Sequence, residues 1–198
     1  RTLPIQIVPG ITAPLAARAA LRWGTKRVVS LGLLNMSIGF VIASRLDADT
    51  TYFGPVVISM LLISNGLSLV TSPSTDAVMG SLPRNKAGVG SAVNDISREV
   101  GGTLGVAITG SVFVSLYTPR LEENFMQLPG LVESLPSGLY DAARESVGAA
   151  YAVAQGSPDS MRNQILSAVS DSFTTGFSTA CLVVAVAAFV GSIEALLF

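Results

Sequence analysis

The chain has 198 residues, of which 13% are charged and 49% hydrophobic. The charged share is about half that of soluble domains, and with a mean hydropathy of +0.58 it argues against a water-soluble globule. A net charge of −1 offers no basic face for nucleic acid. With no histidine and one cysteine, Cys181, the chain has no Cys/His metal site, no histidine-based triad and no internal disulfide. It starts at Arg1 rather than Met and ends on Leu196-Leu197-Phe198, so it reads as a piece of a longer protein.

Five stretches lack Asp, Glu, Lys and Arg: 2–17, 28–44, 50–75, 100–119 and 172–193, of 16, 17, 26, 20 and 22 residues. A bilayer core of about 30 Å needs about 20 helical residues. The first stretch therefore reads as the tail of a truncated span and the others as complete crossings. Runs of this length satisfy their backbone in lipid as helices, whereas barrel strands alternate over about 10 residues. The expected fold is an all-α membrane protein with about four complete transmembrane helices and one truncated. The predicted spans are about 1–17, 28–44, 53–75, 91–118 and 172–193, with a loop at 119–171.

The connections alternate in charge. The first carries Arg18, Arg22, Lys26 and Arg27 and no acid; the second has Arg45 against Asp47 and Asp49; the third has Arg84 and Lys86. The fourth sets Arg120, Arg144 and Arg162 against Glu122, Glu123, Glu133, Asp141, Glu145, Asp159 and Asp171. Basic loops lie on the cytoplasmic side. This predicts a multi-pass protein of the cell membrane with the 119–171 loop outside and the C-terminus cytoplasmic. Within that loop, Ser137 can cap a helix over 139–154 whose face holds Leu139, Ala143, Val147, Ala150 and Tyr151. Ser157-Pro158-Asp159 is a second start signal, for a helix running into the last span.

The fourth span carries the most information. Ser91, Asp95, Arg98, Gly102, Gly105 and Thr109 recur at spacings of 3 and 4 and form one stripe, with Val93, Ile96, Val100, Leu104 and Ile108 on the other side. Gly101, Gly102, Gly105 and Gly110 offer a smooth surface for close helix packing. Charges at membrane depth point to a substrate path, proton relay or gate; at the cytoplasmic headgroup level, just before the uncharged run, they would merely pair with neighbours. The candidates are Asp76, Asn94, Asp95, Arg98 and Glu99, with Asn65 adding polarity in the third span. Arg98 is expected to pair with Asp95, Asp76 or both.

Two segments resemble a family. The stretch from Pro14 to Arg27 is similar to the cytoplasmic loop signature of the major facilitator superfamily, G-x-x-x-D-R-x-G-R-R, which Arg22, Gly24, Lys26 and Arg27 match. Ala17 stands for its first Gly, and Leu21 leaves no carboxylate for the gating role of its Asp. The stretch from Pro73 through Gly88-Val89-Gly90 and Asn94-Asp95 to Arg98, Gly101-Gly102 and Gly105 looks like the 14-helix drug:proton antiporters of EmrB/QacA type. The resemblance implies the last five helices of an exporter of hydrophobic, often cationic compounds. Export would be driven by proton influx and work by alternating access. It implies membrane lipid, protons, a small-molecule substrate and a missing N-terminal half as partners, with no cofactor and no metal. A non-transporting membrane scaffold is the alternative; it would not need polar residues converging on a cavity. An enzyme is not expected, since the acids cluster at the ends of the spans.

Overall fold

The computed structural model describes residues 3–47, 50–128 and 137–197. Among these there is no strand. The helices are α1 (Leu3–Trp23), α2 (Thr25–Ala43), α3 (Val57–Gly80), α4 (Ala87–Met126), α5 (Ser137–Glu145), α6 (Val147–Gly156) and α7 (Asp159–Leu197). A π turn at Tyr52–Val56 leads into α3, and a 3₁₀ turn at Arg84–Lys86 leads into α4. Four helical stretches, Thr25–Ala43, Tyr52–Gly80, Arg84–Met126 and Met161–Leu197, are long and apolar enough to cross a membrane. The protein is an all-α membrane protein. The helices outrun the predicted spans: α4 has 40 residues and α7 has 39, each about 60 Å along its axis against a hydrocarbon core of about 30 Å.

The chain forms two compact units. The first comprises Arg1–Ala107 and Cys181–Phe198. In it α3 packs on both α1 and α2. Only Gly24 separates α1 from α2, at φ +87°, a left-handed conformation that glycine adopts without the Cβ clash. The α2–α3 contact is made through glycines. A Cβ at Gly32 would lie 2.8 Å from Leu69 Cβ and 2.9 Å from the Gly66 carbonyl oxygen, and one at Gly39 would lie 2.8 Å from Ile63. The contact of α2 with α7 is made through hydroxyls. Ser192 donates to the Ser30 carbonyl at 2.9 Å, which leaves the Ser30 hydroxyl to donate to Ser192 Oγ at 3.0 Å. Ser37, seven residues on, donates to the Ala185 carbonyl at 2.8 Å, seven residues back. That matched spacing makes the two helices antiparallel in heptad register.

The second unit is Ile108–Ala180. Its core is Tyr117, Leu121 and Phe125 of α4, Ala143 of α5, Ala150, Val153 and Ala154 of α6, and Ile165, Ala168 and Val169 of α7. Phe113 stacks on Tyr117, with ring centroids 5.4 Å apart, and meets Phe173 edge-on at 5.7 Å. Gly176 admits the Phe113 ring, which a Cβ there would approach to 3.0 Å. The fourth helix continues through Pro119, past the span boundary expected at about 118. The proline forfeits one backbone hydrogen bond, while Leu121 and Phe125, fully buried beyond it, keep the helix going. The single helix expected over 139–154 is broken at Ser146, whose extended backbone and Oγ cap α6 by accepting from Ala149 N at 3.5 Å. That break rotates the buried face, so Val153 and Ala154 enter the core and Tyr151 stays exposed. The Ser157 hydroxyl donates back to Val153 at 2.8 Å rather than capping α7. The side chains of Ser137 and Leu139, together with residues Asp49 and Glu133, lie outside the described residues.

Candidate functional site

The sequence of α3 places hydroxyl residues at 64, 68, 71, 72 and 75, spacings of 3 and 4 that line one side of an otherwise apolar helix. Two clefts run along that side. One, of about 400 Å³, lies between α1, α3 and α4 and is lined by Pro9, Ala13, Ser68, Thr71, Thr75, Asp76 and Arg98, among others. The other, of about 390 Å³, lies between α3 and α4; it shares Leu67, Thr71, Thr75 and Arg98 and adds Asn94, Ser97, Gly101 and Gly102. The structure thus brings Asp76, Asn94 and Arg98 of the sequence-predicted set to adjoining clefts. Glu99 lines a separate cleft of about 450 Å³ on α4, with Gly102, Thr103, Val106 and Ala107. Asp95 and Asn65 line none of these three.

The expected ion pair of Arg98 is not formed. Among the described residues, no carboxylate lies within 4 Å of its guanidinium, and Asp76, Asp95 and Glu99 have no cationic partner. Arg98 and Asp76 line the same cleft, yet each is exposed in it and unpaired. The hydroxyls around them are partly committed. Ser68 donates to the Ser64 carbonyl at 3.1 Å, Thr75 to Thr71 at 2.9 Å and Ser97 to Val93 at 2.8 Å. A hydroxyl whose proton is used on its own helix presents only lone pairs to a ligand. The 3- and 4-residue period of this row was the signal from which the sequence could have found it.

The other residues of interest are placed as follows. Arg22, Lys26 and Arg27 are exposed around the Gly24 turn. Gly101, Gly102, Gly105 and Gly110 are exposed, and a Cβ at each would meet no atom within 4 Å among the described residues. The described glycines already in close contact are Gly32, Gly39, Gly66, Gly90 and Gly176. No group of three or more His, Cys, Asp or Glu capable of holding a metal occurs among the described residues.

The strongest electrostatics lie in the second unit, outside the uncharged runs. Asp171 Oδ2 accepts from Asn124 at 2.9 Å and from Arg120 Nε at 2.8 Å. The Asn124 hydrogen bond first, and then the Arg120 guanidinium, hold its carboxyl below the usual range against the opposing effect of burial. Arg144 pairs with Glu122 and Asp141 and lies over the Tyr140 ring at 5.8 Å. Tyr117 and Thr118 donate to the carbonyls of Ala143 and Arg144 at 3.1 and 3.0 Å, tying α5 to α4.

No family model matches the chain. It is 28% identical over 96% of its length to the multidrug efflux pump LfrA of Mycolicibacterium smegmatis, covering 37% of that protein. It is 25% identical over 90% of its length to the methyl viologen resistance protein SmvA of Salmonella typhimurium, covering 34%. To the multidrug transporter protein MdtP of Bacillus subtilis it is 27% identical over 69% of its length, covering 28%. The chain is therefore similar, along most of its length, to proteins named as drug efflux and resistance transporters, and it spans about a third of their length.

Proposed function

We propose that the chain is the C-terminal part of a proton-coupled exporter of hydrophobic and often cationic small molecules, of the 14-helix major facilitator type, working by alternating access in the cell membrane. One observation carries this reading. Similarity to a multidrug efflux pump runs over 96% of the chain, and the stretch it covers includes a hydroxyl-lined cleft that holds Asp76 and Arg98, neither of them ion-paired to a described residue. A scaffold has no need of such a cleft. In this reading Asp76, Asn94 and Arg98 face the substrate path. Asp95 and Glu99, one helical turn apart on α4, are the carboxylates available to protons. The glycine face of α4 receives a helix from the N-terminal half.

Energised membrane vesicles holding the full-length transporter test the proposal with ethidium. Efflux should stop on adding a protonophore. Abundant, correctly inserted protein without gradient-dependent efflux would leave the scaffold reading standing. For orientation, Cys181 is replaced and single cysteines are introduced at Glu145 and Lys86. An impermeant thiol reagent outside the cell should label the first and spare the second.

A further inference from the structure

We propose that the cleft between α1, α3 and α4 binds a zwitterion, with its anionic group at Arg98 and an N–H-bearing ammonium at Asp76. This adds one ligand class to the proposed substrate path and rests on the transport reading where it names an exported drug as the occupant. Arg98 and Asp76 line one cleft of about 400 Å³, a volume that suits a drug-sized ligand. Ionisable groups on membrane helices pair with one another or mark a ligand path. Here the two share a cleft and remain apart, without an ion pair to each other or to any other described residue. A simple cation would meet Arg98 as well as Asp76, and a simple anion the reverse. A molecule carrying both charges satisfies the two at once.

The neutral groups select the kind of cation. The protons of Ser68 and Thr75 are spent on their own helix, so their oxygens are left as acceptors in the cleft. Acceptors and a carboxylate suit an ammonium that can donate N–H bonds and leave a quaternary ammonium without directed contacts. In the same cleft, the guanidinium of Arg98 offers a planar fork to a carboxylate or phosphate. The same chemistry could come from an amphipathic drug or from the headgroup of an aminophospholipid.

Equilibrium binding to the full-length transporter in phosphatidylcholine nanodiscs separates these cases. The probes are ciprofloxacin, which carries a carboxylate and a piperazinium, its methyl ester, which keeps only the cation, and its N-acetyl derivative, which keeps only the anion. The zwitterion should bind at least about tenfold tighter than either derivative, the worth of one charge-assisted hydrogen bond. Arg98→Gln should bring it down to the level of the ester, and Asp76→Asn to that of the N-acetyl compound. Each ratio is taken within one variant, so partial misfolding does not alter it. In phosphatidylethanolamine nanodiscs, displacement of ciprofloxacin assigns the cleft to the lipid headgroup, and undiminished binding assigns it to the drug. Wild-type protein that binds the ester as tightly as the zwitterion overturns the proposal, as do ratios unchanged in both variants. Either result leaves the export reading intact, because gradient-dependent ethidium efflux judges that separately.

Discussion

In the first unit the side chains removed from solvent are small and often hydroxylated, among them Ser30, Ser37, Ser59, Ser64, Ser68 and Ser192, while Leu31, Leu67, Val93, Ile96, Val100 and Leu104 point outward. In the second unit Tyr117, Leu121, Phe125 and Ile165 are buried, and Arg120, Glu123, Asp141 and Asp171 are on the surface, in ion pairs. The two patterns are those that lipid and water respectively favour. In lipid, burying a leucine against another helix gains little, so helices associate by close backbone approach and interhelical hydrogen bonds, which favours Gly, Ser and Ala at the contacts. In water the apolar area removed is itself the driving force, and large side chains go inside. One chain of 198 residues thus uses two packing chemistries, and α4 and α7 take part in both.

Four substitutions sharpen that contrast, each read as the thermal or denaturant stability of the purified full-length protein. Phe125→Ala should have the largest effect, about 3–5 kcal/mol, because the side chain is fully buried in a core of large apolar residues. Leu104→Ala in the first unit, 58% exposed, should cost far less; equal losses would break the distinction. Next is Gly32→Val, whose Cβ would collide with Leu69 and with the backbone of Gly66. It should cost about 1–3 kcal/mol by overpacking. Ser192→Ala removes an interhelical hydrogen bond to Ser30 and leaves a second hydroxyl short of an acceptor. A loss of roughly 0.6–1.7 kcal/mol is expected, the range for such bonds in membranes.

The smallest effect is expected at Asp171. Its side chain is 48% exposed, and Asp171→Asn should cost less than about 1 kcal/mol at neutral pH, as exposed pairs do. Its carboxyl is held below the usual value in the folded state. The contribution is therefore present above the unfolded pKa of about 3.9 and lost as pH falls through the lower folded value. The stabilities of wild type and Asp171→Asn should converge on acidification below about pH 4. A gap that widens there would mean that the carboxylate is unfavourable in the fold.

The sequence alone determined that this is an α-helical membrane protein, because uncharged runs of 17 to 26 residues leave the backbone no other way to satisfy itself in lipid. It also marked Asp76, Asn94 and Arg98, since charged and amide groups stand out against such a background. The helix break at Ser146 and the passage of α4 through Pro119 were not legible. Both depend on which side chains find a core beyond the local signal, Val153 and Ala154 in one case and Leu121 and Phe125 in the other. Which glycines make contact was equally hidden. Gly101, Gly102, Gly105 and Gly110 form the conspicuous stripe, yet Gly32, Gly39 and Gly66 close the α2–α3 contact, because a spacing defines a face without saying what lies against it. The separation of Arg98 from Asp76 was decided by the tertiary structure as well. Opposite charges on neighbouring helices invite pairing on paper, and only the distance between helix faces determines whether the two meet or leave a cleft between them.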